Sequence, residues 1–299
     1  MTPDGHFVQL EYVEDESKRE PYIVKPGIWA INKTMQGLQL QTTSFNSDKL
    51  LESFTNTQNI TDKIDCFFQK IPIYQKLGYD VAKRAALLFG PPGTGKSSSI
   101  TVIANKYSSD NKTAVIIWHT DKFEPYQVKD FIKSFEYEGV DKIILIAEDI
   151  GGTEIDNQRM RSDSSLLSLL DNQEKTFRIP TFILATTNYA ENFLGNLTNR
   201  YGRFDDKIEV DYPVGEQRVK LFEFFAKGVK ELPEEALKLM GSDKTKEFSP
   251  AHIKEVIVRS MIYDKIETDV IKDILKEMEH FKASFSKKRK SMGIGEDDY

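Results

Sequence analysis

The sequence predicts an α/β fold: a parallel sheet with helices on both faces, preceded by a short β-rich segment and followed by a small helical domain. Three observations carry this expectation. From residue 85 onward, short apolar runs alternate with helical or turn-rich stretches. A glycine-rich turn follows the first of these runs directly. From about residue 215 the apolar runs stop and only helical patterns remain. Composition agrees, because 299 residues with 39% hydrophobic and 29% charged content can fill a core and show no low-complexity bias.

Taken in order, residues 1–50 read as the β-rich segment. Val8, Leu10 and Tyr12 alternate with polar neighbours, as do Leu38, Leu40 and Thr42. Pro26-Gly27 and Gln36-Gly37 supply turn chemistry, so short antiparallel strands are expected, packed against the larger α/β core. A helical rhythm then carries Leu50, Leu51, Phe54, Ile60, Ile64, Phe67, Phe68 and Ile71. The core is expected over 51–214, with strands at 85–89, 114–118, 143–147, 181–186 and 207–210. Helices are expected at 217–228, 234–240, 250–264 and 268–285, making a helical domain over 215–285. A charged, flexible tail over 286–299 carries Lys287-Lys288-Arg289-Lys290.

Charge and residue usage exclude several function classes. Lysine and arginine number 41 against 47 acids, a net charge of −6, which argues against bulk, sequence-independent binding of nucleic acid. The single cysteine, Cys66, cannot form an internal disulfide, and its place in a helical apolar pattern reads as core packing. Nothing at the start resembles a secretory leader, and the run 143–147 is far shorter than the ~20 residues of a membrane span. A cytoplasmic protein without membrane contact is expected. His6, His119, His252 and His280 lack metal-ligand spacing, so no protein-held zinc is expected.

The chemistry starts at Gly90-Pro91-Pro92-Gly93-Thr94-Gly95-Lys96-Ser97, which matches G-x-x-x-x-G-K-[ST] between an apolar run and a helix start near Ser98. Such a phosphate loop (P-loop) turns successive backbone N–H groups onto phosphate oxygens at a helix N-terminus. Lys96 is expected to reach the β- and γ-phosphates of ATP, and the Ser97 hydroxyl to ligate Mg²⁺. The run 143–147 ends in Glu148-Asp149, which places two acids at the carboxyl edge of the sheet beside that loop. One can hold the magnesium shell, and the other can orient or deprotonate the attacking water.

These residues resemble the AAA ATPases of the AAA+ superfamily, a P-loop NTPase family. The loop GPPGTGKSS, through Ser98, looks like that family's Walker A, and Glu148-Asp149 like its Walker B in inverted order. That inversion resembles the branch of the mitochondrial respiratory-complex III assembly ATPase, without its membrane anchor. The resemblance implies Glu148 at the magnesium position and Asp149 at the catalytic-base position. Residues 164–171 are similar to that branch's helix after Walker B. The stretch 182–188 is similar to the strand and sensor 1, which makes Asn188 the residue that positions the lytic water.

Residues 197–205 are similar to the second region of homology, with Tyr201 where the family has proline. Arg200 and Arg203 are then implied as arginine fingers that reach a neighbouring subunit's nucleotide. Residues 248–253, Phe-Ser-Pro-Ala-His-Ile, resemble the opening of the family's helical lid, with Pro250 suited to the first helical position. The resemblance implies a homo-oligomeric ring, hexameric or similar, that remodels a protein substrate or works through a protein adaptor. Phe123 and Tyr126 stand where ring translocases carry a pore loop, and can equally pack the following helix, expected to carry Val128, Phe131 and Phe135. A nucleic-acid-directed loader and an ATP-gated assembly switch are the competing readings.

Overall fold

The computed structural model describes residues 21–34, 37–45, 55–119, 125–150, 170, 176–189 and 204–291. They fall into two compact units. One joins the N-terminal part through Pro91 with Lys96–Val210; the other joins Pro92–Gly95 with the chain from Asp211 onward.

In the first unit the strands are β1 (Tyr22–Val24), β2 (Gly27–Thr34), β3 (Gly37–Thr42), β4 (Lys83–Phe89), β5 (Thr113–His119), β6 (Phe135–Tyr137), β7 (Lys142–Glu148), β8 (Thr181–Thr187) and β9 (Asp206–Glu209). The main sheet runs β3-β2-β5-β7-β8-β4-β9 among the described residues. All its pairings are parallel except β2–β3, which is an antiparallel hairpin. The N-terminal hairpin therefore extends the sheet itself, with Ile28 opposite Val115 in register. The Leu38–Leu40–Thr42 alternation is this hairpin's β3, whereas Val8, Leu10 and Tyr12 lie outside the described residues.

Why the strands are apolar at every position is visible in β7. Ile143, Leu145 and Ala147 enter one buried cluster and Ile144 and Ile146 the other, on opposite faces. Strands β4 and β8 split the same way, with Leu87 and Ile183 on the first face and Leu88 and Leu184 on the second. Helices α1 (Thr55–Gln69) and α3 (Lys96–Ser108) cover one face through Ile60, Ile64, Phe67, Ile100 and Ile103. Helix α2 (Ile71–Lys76) follows α1. Helix α4 (Pro125–Lys133) covers the other face through Val128 and Ile132.

Two expectations are corrected here. Cys66 is exposed, because it stands off the Ile60–Ile64–Phe67 stripe that α1 presents to the sheet. Phe135 belongs to no helix. It is fully buried in β6, which pairs in parallel with β1 and packs edge-to-face on Tyr22 and Phe131. Phe123 and the side chain of Tyr126 lie outside the described residues.

The second unit contains α5 (Gly215–Ala226), α6 (Glu234–Gly241), α7 (Pro250–Ile262) and α8 (Glu267–Ser291). Its packing centres on Phe222, Met240, Phe248, Ile253 and Ile271, each fully buried. Arg218, at 3% exposure, is spent entirely on structure. Its guanidinium donates to the carbonyls of Pro213, Met240, Gly241 and Ser242, pinning α5 to the end of α6. Helix α8 continues past Phe285 to Ser291, so Lys287–Lys290, expected in a flexible tail, are its last turns. Lysine and arginine are good helix formers and favour a helix C-terminus, which explains the continuation. No helix among the described residues is long and apolar enough to cross a membrane.

Candidate active site

Strand order assembles the site. Gly90 follows β4, Glu148 and Asp149 close and follow β7, and Asn188 follows β8; β8 lies between β4 and β7. Three parallel neighbours thus deliver their carboxyl ends to one edge, where open α/β sheets bind ligands.

Gly90 leaves β4 with φ near 147°, and a Cβ there would lie 2.3 Å from the Val210 carbonyl oxygen. Only glycine lets the loop start this close to the neighbouring backbone. At the loop's tip, inside the second unit, a Cβ on Gly93 would lie 2.9 Å from Ser249 Oγ at the start of α7. The loop ends by entering α3. Ser97 and Ser98 stand exposed in its first turn, while Thr94 is buried.

Lys96 is 7% exposed, and its Nζ donates to the carbonyls of Gly90 (2.6 Å) and Pro91 (2.8 Å). Burial pulls its pKa down to about 8, against the opposing pull of the Asp149 charge. The lysine is thus held over the loop by backbone oxygens, with its charge favoured by one acid.

Asp149 has φ near 55°, a left-handed conformation that aspartate tolerates better than most residues. Three contacts hold it there. Its N–H donates to Thr186 Oγ1 (2.9 Å), the next N–H, of Ile150, donates to the Thr186 carbonyl (2.8 Å), and its Oδ1 accepts from Asn188 Nδ2 (2.9 Å). Glu148 is half-buried, opposite His119 in the β5–β7 register. The pairing of Asn188 with Asp149 thus joins two of the expected site residues directly. Thr186 is the contributor that sequence reading missed, and the signal for it was the threonine pair Thr186-Thr187 closing the apolar run of β8.

The donor set fits a Mg²⁺–triphosphate. A loop crowded against a Cβ at Gly90 and Gly93, a lysine over it, a hydroxyl at a helix start and two carboxylates are the groups that such a ligand takes. Arg200 and Arg203 lie outside the described residues, as do 164–169 and Asp171. In the second unit, Phe248 is buried and Ser249 caps α7, with Pro250 at its first position as expected.

Comparison with known proteins agrees with this geometry. Residues 86–212 match the family described as ATPase family associated with various cellular activities (AAA). The chain is 27% identical over 223 residues to AAA-ATPase At3g50940 of Arabidopsis thaliana, covering 70% of this chain and 47% of that protein. It is 28% identical over 240 residues to a proteasome-activating nucleotidase of Saccharolobus solfataricus, covering 77% and 59%. It is 27% identical over 156 residues to cell division control protein 48 homolog B of Arabidopsis thaliana, covering 49% and 26%. The matched stretches span between 26% and 59% of the length of these curated relatives. The family match falls on residues 86–212, the stretch that holds the phosphate loop, Glu148-Asp149 and Asn188.

Proposed function

We propose that this chain is a Mg²⁺-dependent ATP hydrolase that works as a ring oligomer and remodels a protein substrate. The observation that carries the reading is the convergence of the phosphate loop, Glu148-Asp149 and Asn188 on three adjacent strands, with Asn188 bonded to Asp149 at 2.9 Å. The name of one relative, a proteasome-activating nucleotidase, supports action on a protein assembly. The order Glu148-Asp149 supports placement near the respiratory-complex III assembly branch.

In this reading, the backbone N–H groups of Gly90–Ser98 and the Lys96 ammonium bind the triphosphate. Ser97 and Glu148 hold Mg²⁺, which when bound neutralises charge on the phosphate oxygens. Asp149 accepts the proton of the attacking water, and Asn188 holds both that water and the Asp149 carboxylate in place. Arg200 and Arg203 from a neighbouring copy stabilise the charge of the transferring phosphoryl group.

The test is turnover and nucleotide affinity measured in parallel. Asp149→Asn and Arg200→Ala should each lose turnover by roughly 100-fold or more, with affinity for ATP little changed. Mixing Arg200→Ala with Lys96→Ala should recover part of the activity, since each supplies what the other lacks. Normal turnover in Arg200→Ala would sink the finger assignment.

A further inference from the structure

The parallel ladder between β7 and β8 ends just before the two acids, with Ala147 opposite Ala185 as its last pair. Beyond that pair the chain leaves strand geometry, and Asp149 takes φ near 55°. In this left-handed region the Cβ crowds the following carbonyl, so something outside the residue must hold it there. Among the described residues, Asp149 and Asp264 are the non-glycine residues with positive φ. Asp264 lies just after α7, where a helix end commonly turns left-handed. Asp149 has no such helix to close and sits at the mouth of a strand, inside the candidate site.

Thr186 holds the turn with two different atoms. Its hydroxyl Oγ1 accepts the Asp149 N–H at 2.9 Å, and its carbonyl oxygen accepts the Ile150 N–H at 2.8 Å. Consecutive N–H groups of an extended strand point to opposite edges, so both reach β8 only because Asp149 is left-handed. A single backbone carbonyl per residue would leave one of them over, and the hydroxyl supplies the second acceptor. Thr186 and Ile150 are both buried, so a bond lost here is costly. Branching at Cβ also stiffens the threonine side chain, which keeps its oxygen aimed at Asp149. Asn188, two residues further along the chain, donates its Nδ2 to the Asp149 carboxylate at 2.9 Å. The charge of that carboxylate is also felt by Lys96, where it favours the ammonium form.

We propose that Thr186 is a positioning residue for hydrolysis: its hydroxyl fixes the left-handed turn from which Asp149 presents its carboxylate to the attacking water. The inference rests on the reading of Asp149 as the base. The Asn188 bond fixes one carboxylate oxygen, whereas the Thr186 hydroxyl fixes the backbone from which that side chain springs. Without the hydroxyl, the Asp149 N–H loses its acceptor and the turn loses the bond that offsets its crowding. The backbone then relaxes toward ordinary strand geometry and carries the carboxylate with it. A displacement of about 1 Å at a reacting group is enough to cost on the order of 100-fold in rate. Valine keeps the shape of threonine and removes its oxygen, while serine keeps the oxygen and removes a methyl group. The two substitutions therefore separate the hydrogen bond from the packing.

The test measures kcat and the affinity for a fluorescent ATP analogue in the full chain carrying Thr186→Val, Thr186→Ser or Thr186→Ala, and Thr186→Val together with Asp149→Asn. Thr186→Val should lose about 10- to 100-fold in kcat with affinity unchanged, and Thr186→Ser should keep most of the original kcat. Beside Asp149→Asn, Thr186→Val should cost little more, because the carboxylate it positions is already gone. If the two losses multiply in the double variant, Thr186 acts on something other than Asp149 and the proposal is overturned. Equal losses in Thr186→Ser and Thr186→Val, or kcat and affinity falling together in Thr186→Val, would assign the residue to packing and overturn it as well. Should Thr186→Val not fold, Thr186→Ala decides: reduced kcat at unchanged affinity supports the proposal, and unchanged kcat overturns it. Unchanged kcat in Thr186→Val beside lost kcat in Asp149→Asn overturns only the role of Thr186. Unchanged kcat in Asp149→Asn overturns the base reading beneath it.

Discussion

Lys96 is a cation whose charge state depends on what it holds. Enclosed over the loop and bonded to the Gly90 and Pro91 carbonyls, it has a pKa of about 8. A bound triphosphate adds negative charge beside it and favours the ammonium form. Binding above pH 8 must then take up a proton, and affinity must weaken as pH rises through that value. Titration calorimetry at pH 8.5, in two buffers of different ionisation heat, should show uptake of most of one proton, against almost none at pH 6.5. Equal uptake at both pH values would mean that Lys96 is not the group responsible. Such a shift was not legible from the motif, which names the lysine but not its enclosure. The partner of Asp149 was also hidden, because Thr186 lies 37 positions away and meets it only through the order of the strands.

At the scale of an element, α7 shows local chemistry that sequence reading reached in part. Pro250 at the first helical position was legible. Ser249 as the cap, and His252 completing it, were not. The Ser249 hydroxyl accepts the His252 N–H (3.3 Å), and the ring Nδ1 accepts the Ser249 N–H (3.2 Å). Accepting that bond requires a neutral ring, and burial lowers the His252 pKa from 6.5. Its stabilising contribution is therefore complete above pH 6.5 and is lost as pH falls from there through the lowered folded value. Ser249→Ala should cost about 1 kcal/mol in urea unfolding at pH 7.5. His252→Gln, which keeps an acceptor, should flatten the difference in stability between pH 7.5 and 5.5; an unchanged difference would remove His252 as its source. Strands β1 and β6 were missed because three residues are too few to display a period of two. Cys66 was misplaced because it stands beside, and not on, the buried stripe of α1.

For the whole molecule, the ring reading makes a claim about mass. With Mg²⁺ and a non-hydrolysable ATP analogue, light scattering should report a closed oligomer, and Arg200→Ala should weaken its turnover more than its assembly. A monomer at high protein concentration would leave the arginines no nucleotide to reach, and the reading would fail. The sequence by itself determined the β4, β5, β7 and β8 strands and the phosphate loop. A strand buried on both faces must be apolar throughout, and a phosphate loop is built from contiguous residues, so both are written locally. Only the tertiary structure decided the order β7-β8-β4 that brings Asn188 and Thr186 to Asp149. Those partners stand 39 and 37 positions from it. Hydrogen bonding across such separations depends on which strands become neighbours, and no local spacing encodes that.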